Sequence, residues 1–149
     1  MAAELPRPNP ALKRLERLVG TWVLEGRTLD SPNNNIRGRV IIDWLPGRFF
    51  LRQQGELWVM GFKFYGLEIV GYDPATKIFP SYVYSNVGET PGRYYWDVQG
   101  DMVAHWTDGA KYTGRFDRDG NVLSGGWRPD AGAQSTPQNT YDANMTRIK

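Results

Sequence analysis

The chain of 149 residues contains no cysteine. That excludes a disulfide framework, thiolate catalysis and cysteine-ligated zinc or iron–sulfur sites. A single histidine, His105, cannot form the His and carboxylate cluster of a protein-held metal, so no metal site and no cofactor are expected. No stretch approaches the roughly 20 consecutive apolar residues that span a bilayer, so no membrane association is expected. The opening Met1-Ala2-Ala3-Glu4-Leu5-Pro6 carries an early acid, prolines at 6, 8 and 10, and no apolar run, and does not read as a signal peptide. These absences point to the cytoplasm. Charge of one sign is also lacking, since 18 basic and 16 acidic side chains leave a net +2. The one locally basic stretch, Lys13, Arg14 and Arg17, is broken by Glu16. It reads as a solvated face rather than a phosphate-binding stripe, and nucleic acid is not expected as a partner.

What the chain does have is a strand pattern. Residues 1–10 are Pro-rich and read as a flexible lead-in, and residues 11–149 read as a single domain. Leucines at 12, 15 and 18 predict a short amphipathic helix over 11–19, ended by Gly20. From Gly20 onward, short β-prone runs alternate with turn signals, predicting about ten strands at roughly 20–30, 36–45, 48–58, 63–72, 77–86, 92–99, 101–107, 110–118, 121–128 and 138–148. The fold class is therefore all-β, a closed antiparallel up-and-down barrel with a short N-terminal helix.

Turns set register, and register decides which side chains share a face. Read as a two-residue turn, Pro46-Gly47 sets Trp44 opposite Phe49, Ile42 opposite Leu51 and Val40 opposite Gln53, with Arg52 facing outward. Asp119-Gly120 pairs Phe116 with Leu123, Gly114 with Gly125 and Tyr112 with Trp127. Gly100-Asp101 sets Trp96 beside His105 and Val98 beside Val103. If Asp108-Gly109 is also a plain two-residue turn, His105 falls opposite Tyr112 and faces inward. A bulged loop would instead place Trp106 inside. The first choice joins two apolar faces, and it separates His105 from Asp97. The expected inner wall then carries Tyr94, Trp96, His105, Tyr112, Phe116 and Trp127. Gly114 and Gly125 on that wall would remove side chains from the interior, leaving room for a cavity unless the aromatics fill it.

Gly20-Thr21-Trp22 after the helix, with Arg147 near the chain end, resembles the calycin signature of lipocalin-like barrels. There a basic residue of the last strand packs over the first-strand indole and closes one end; a cation on that ring face contributes roughly 0.5–2 kcal/mol. A more specific likeness runs through Leu15-x-x-Leu18-Val19-Gly20-Thr21-Trp22, Trp44-Leu45-Pro46-Gly47-Arg48-Phe49, Gly66-Leu67-Glu68-Ile69-Val70-Gly71-Tyr72-Asp73 and the hairpin Tyr72 to Lys77. These segments resemble a bacterial lipocalin-like family, domain-of-unknown-function family 1579. The resemblance implies a ten-strand barrel and carries no activity and no catalytic residues. Where that family tends to have Trp and Asp after the Gly-Tyr-Asp hairpin, this chain has Val83 and Ser85, which implies a different pocket. Nitrobindin-like barrels share the general shape, but their glycine-rich start and C-terminal histidine are missing here, so haem is not expected.

Two residues stand out chemically. His105 among Trp96, Tyr112 and Trp127 is an acid, base or hydrogen-bond anchor if it faces inward, and a satisfied strand residue otherwise. Glu68 lies in the apolar run Phe64-Tyr65-Gly66-Leu67-Glu68-Ile69-Val70. The Asp73-Pro74-Ala75-Thr76 loop would bring it near Tyr82 and Tyr84, and burial there would raise its pKa. With Leu67, Ile69 and Val83 making the more apolar face, Glu68 is expected on the solvent side. The barrel and its aromatic lining favour a carrier or sensor for a small apolar or aromatic molecule. The alternative is an enzyme, an isomerase, cyclase or hydro-lyase, using His105 and Tyr112. A third class is an interaction module using the polar 128–137 loop, which could equally form a lid over the barrel mouth.

Overall fold

The computed structural model describes residues 4–149. A 3₁₀ helix spans Pro10–Leu18. Ten strands follow: β1 (Gly20–Thr28), β2 (Ile36–Trp44), β3 (Leu51–Val59), β4 (Phe62–Val70), β5 (Phe79–Ser85), β6 (Gly92–Gln99), β7 (Met102–Thr107), β8 (Ala110–Phe116), β9 (Val122–Pro129) and β10 (Tyr141–Arg147). Each strand pairs antiparallel with its sequence neighbour, and β1 pairs with β10, so the sheet closes into an up-and-down barrel without an edge. Closure removes the template for aggregation that an open edge presents. No helix among the described residues is long and apolar enough to cross a membrane.

Alternation decides which side chains enter the barrel. In β8, Ala110, Tyr112, Gly114 and Phe116 are buried while Lys111, Thr113 and Arg115 are exposed. Up-and-down connectivity puts the helix and the β2–β3, β4–β5, β6–β7 and β8–β9 turns at one end. The other five connections, including Met60-Gly61 and the 130–140 loop, form the opposite end.

The helix seals the first end. Its leucines recur every three residues, the 3₁₀ repeat, so Leu12, Leu15 and Leu18 stack on one side and are buried together. They pack in the core cluster with Trp22, Ile42, Leu51, Val70, Phe79, Val98, Val103 and Phe116. Polar contacts latch the helix to the turns below it. Arg14 pairs with Asp97 and lies over Phe79, Arg17 pairs with Asp101 and lies over Phe116, and Glu16 accepts from Trp44 Nε1 at 2.7 Å and from Arg48 at 2.8 Å. The basic stretch expected to be merely solvated thus holds the plug in place. Leu15→Ala should lower stability by about 2–5 kcal/mol, because its side chain is wholly buried and the barrel floor cannot collapse to fill the gap. Urea denaturation would measure this, and a loss below about 0.5 kcal/mol would mean that the helix does not plug the barrel.

Register is as expected at three hairpins. Trp96 faces His105, His105 faces Tyr112, and Tyr112 faces Trp127, so Asp108-Gly109 is the plain turn and His105 points inward. The Pro46-Gly47 hairpin differs. Its pairs are Trp44 with Leu51, Ile42 with Gln53 and Val40 with Gly55, two residues away from the expected register. The connection is longer than a two-residue turn, since Leu45 N–H donates to Phe50 C=O and Arg48 N–H to Leu45 C=O. Gly47 and Arg48 both take positive φ within it, and Arg48 reaches Glu16 on the helix. Because the slip is by an even number, inward and outward faces are unchanged, and Arg52 pairs with Asp43 on the outside.

Candidate functional site

The inner wall is organised in cross-strand rows. One row runs Phe79, Trp96, His105, Tyr112, Trp127, Tyr141 and Thr28 across seven strands. Within it the His105 ring stacks on Trp96 with centroids 3.7 Å apart and planes 16° from parallel. Trp127 meets His105 edge-on at 5.2 Å and Tyr112 at 5.9 Å, and Tyr94 lies 5.2 Å from His105. A second row, Ile42, Gln53, Glu68 and Val83, crosses β2 to β5 on the same inner surface.

Glu68 is buried, which overturns its expected solvent position. It is 3% exposed, whereas its neighbour Leu67 is 37% exposed. The local apolar pattern is inverted here, with Leu67, Tyr82 and Tyr84 all facing outward and Val83, not the two tyrosines, directly opposite Glu68. The carboxylate is retained inside because donors surround it. Oε2 accepts from Ser81 Oγ at 2.6 Å, Trp96 Nε1 at 2.7 Å and His105 Nε2 at 3.0 Å. Gln53 Nε2 lies 3.4 Å from Oε1. Burial pushes the Glu68 pKa up, but attraction to His105 and hydrogen bonds from His105, Ser81 and Trp96 outweigh it, and the carboxyl is held below its ordinary range. Glu68 is therefore an ionised acceptor at neutral pH.

These groups stand at one side of a cavity of about 610 Å³ inside the barrel. Tyr94, Trp96, His105, Tyr112 and Trp127 all line it; Phe116 does not. Phe116 belongs to the plugged end, 6.3 Å from the Trp22 ring and beneath the Arg17 guanidinium. The Arg147 guanidinium lies 4.1 Å from the Trp22 ring centroid and donates to the carbonyls of Val19, Arg17 and Gly120. At the open end the lining includes Met60, Phe62, Pro137 and Gln138, the last two from the 130–140 loop. Val83 and Ser85 also face the cavity.

The glycines that open the interior are not the expected ones. At Gly114 an added Cβ would lie 2.7–2.8 Å from the Tyr112 ring and hydroxyl, and at Gly125 it would lie 2.2 Å from Thr113 C=O. Those two allow close packing. The space comes instead from the row Val40, Gly55, Gly66 and Ser85, in which two adjacent strands lack a side chain. A Cβ at Gly66 would meet nothing within 4 Å.

Polar atoms left open around the cavity are few. Tyr112 donates to Ala143 C=O at 3.1 Å and is tied to the wall. Burial raises the pKa of Tyr94, Tyr112 and Tyr141, helped at Tyr94 by the charge of Glu68, so all three remain protonated. No group of three or more His, Cys, Asp or Glu residues able to hold a metal occurs among the described residues. The Glu68–His105 pair is the feature sequence reasoning missed. Its partners lie 13, 28 and 37 residues from Glu68, so no local motif marks it.

Comparison with known proteins bears on the fold. A family model described as "Protein of unknown function (DUF1579)" matches residues 7–145. No curated protein sequence matches the chain. Among solved structures the barrel is similar to the crystal structure of Rv2717c from M. tuberculosis, with a TM-score of 0.65 and 16% identity. That alignment covers 95% of this chain and 99% of the other. At such identity the likeness shows the fold alone.

Proposed function

The chain belongs to the DUF1579 family, and from its interior we propose that it is a carrier or sensor for a small apolar or aromatic molecule. The observation behind this is the open space within a closed barrel, about 610 Å³ with an aromatic and aliphatic lining and a small polar cluster at one side. Ligand sites have this character, mostly apolar with a few placed polar groups that fix orientation, and this volume suits a small organic ligand. The lack of cysteine fits a cytoplasmic setting.

A neutral fluorescent probe, N-phenyl-1-naphthylamine, tests the reading. Its emission should rise on entering the barrel, and fluorescence of Trp96 and Trp127 should be quenched as it does. Gly66→Leu supplies the control. Its added side chain projects into open space rather than into backbone, and removing a strand glycine does not weaken the sheet. The variant should keep wild-type stability and lose binding by at least about tenfold, a difference of about 1.4 kcal/mol. Unchanged affinity in a folded Gly66→Leu protein would place the probe elsewhere and sink the assignment.

The Glu68–His105 pair favours a second reading, proton-transfer catalysis in the same cavity. A carboxylate that accepts from one ring nitrogen fixes the imidazole tautomer and leaves the other nitrogen as base, the logic of His–carboxylate dyads in general. On this reading His105 takes the proton, Glu68 positions it, and Tyr94 rather than the tied Tyr112 donates to the developing oxyanion. Turnover of a substrate would then fall in His105→Ala and Tyr94→Phe and persist in Tyr112→Phe; the reverse pattern for the two tyrosines would refute these roles.

A further inference from the structure

The polar cluster constrains what the cavity can hold, and this inference rests on the ligand-binding reading above. His105 Nε2 is committed as a donor to Glu68, since a carboxylate only accepts. The other ring nitrogen, Nδ1, has no hydrogen-bond partner among the described residues. Among the described residues no fully buried side-chain nitrogen or oxygen is left without a partner, so Nδ1 is not sealed in the wall; it keeps accessible surface where the ring borders the cavity. In the neutral ring that nitrogen is a lone-pair acceptor. Glu68 Oε1 also has spare capacity, because its one protein donor, Gln53, stands off at 3.4 Å while three donors crowd Oε2. The deep end of the cavity therefore presents two under-used acceptors.

Cations are missing from the same surface. Among the described residues no lysine or arginine lines the cavity. The basic side chains nearest in the rows face outward, where Arg93 lies over Tyr82 and Tyr95, and Lys63 over Trp58 and Tyr65. With Glu68 ionised, the Glu68–His105 pair carries a charge of minus one with a neutral ring and zero with a protonated one. In neither state does it offer the net positive charge that a buried carboxylate, sulfonate or phosphate needs as a partner.

We propose that the ligand is an aromatic or polycyclic molecule bearing a hydroxyl or N–H donor and no anionic group, its donor directed at His105 Nδ1. The ring system lies against the Trp96–His105–Trp127 wall, where flat apolar surface and ring edges both gain. A fatty acid or other lipid anion is the wrong class for this site.

Three naphthalenes of nearly equal size separate the terms: 1-naphthol carries the donor, 1-methoxynaphthalene lacks it, and 1-naphthoate replaces it with an anion. Their affinities can be measured by calorimetry and tryptophan quenching on the wild-type protein. The expected order is naphthol tightest, methoxynaphthalene weaker by about fivefold, and naphthoate weakest by at least about tenfold, as an unpaired buried charge requires. Because His105 is the only histidine, ¹⁵N-histidine labelling reports on the same ring without any substitution. In the free protein Nε2 should carry the ring proton and Nδ1 should be bare. The Nδ1 resonance should shift on adding 1-naphthol and hold still on adding 1-methoxynaphthalene. Equal or tighter binding of naphthoate, or a proton on Nδ1 with Nε2 bare, would overturn the proposal while leaving the cavity a ligand site. If none of the three compounds entered the barrel, the ligand-binding reading itself would fall.

Discussion

Replacing Glu68 by Gln is expected to cost the barrel about 3–5 kcal/mol, the magnitude of breaking a buried, hydrogen-bonded charge pair by removing one partner. The carboxylate collects protons from Ser81, Trp96 and His105 on one oxygen. An amide of the same shape keeps a single acceptor oxygen and brings its own N–H₂ among donors. The indole N–H, imidazole N–H and serine hydroxyl then meet a neutral oxygen in place of a charged one, in a site where the Glu68 side chain is only 4% exposed. Solvent screening is correspondingly slight, and the deletion retains most of its cost. Equilibrium urea denaturation would show a lower midpoint with an unchanged slope. A loss below about 1 kcal/mol would mean that water or a ligand, rather than the protein, satisfies the carboxylate. The same group gives a pH dependence whose sign follows from its lowered pKa. A carboxyl with a folded pKa below its unfolded one adds stability that is complete above the ordinary glutamate value of about 4.3. That stability is lost as pH falls through the lower folded value. Glu68→Gln should therefore destabilise most at neutral pH, and the gap to wild type should narrow in acid. A gap that widened on acidification would contradict an ionised Glu68.

The second large effect is expected at the plugged end. Trp22 is completely buried, its indole N–H donates to Leu18 C=O at 2.9 Å, and Arg147 covers its face. Trp22→Ala should cost about 3–5 kcal/mol through the lost apolar contact and the cavity left behind, with up to about 2 kcal/mol more from the cation on the ring. Arg147→Met should cost less but act on the same unit. It removes the guanidinium that joins the last strand to Arg17 and Val19 at the helix end and to Gly120 in the β8–β9 turn. Hydrogen exchange would distinguish a local from a global effect. Opening of the floor in Arg147→Met should appear first as faster exchange at Val19, whose amide is tied to Glu16 C=O, and at Leu12, tied to Asn9 C=O, while β8 and β9 keep their protection. Uniform loss of protection across all ten strands would show that the latch is not a separate unit.

How much of this was legible beforehand differs from one part of the chain to another. The sequence alone determined the number and order of strands and the antiparallel connectivity. It also determined the inner faces of β6 to β9. Those are local matters: a Gly-containing turn fixes its own hairpin within a few residues, and the pleat then assigns faces by a period of two. The leucine spacing also marked the short amphipathic helix, while its 3₁₀ type came from the structure. At Pro46-Gly47 the local signal misled, because the connection is shaped by its contact with Glu16 on the helix as well as by its own residues. The even slip preserved the faces, which is why Arg52 was still read correctly.

Only the closed barrel decided Glu68. Its neighbours in sequence are apolar, and any local ranking turns the carboxylate outward. Inside, Ser81, Trp96 and His105 arrive from β5, β6 and β7, and their donors reverse the cost of burial. The cavity was likewise settled by pairing. Gly55 and Gly66 are unremarkable along the chain, and they empty the interior only because register sets them side by side. Patterns along one strand carry the container; the polar cluster within it depends on which strands the closed sheet brings together.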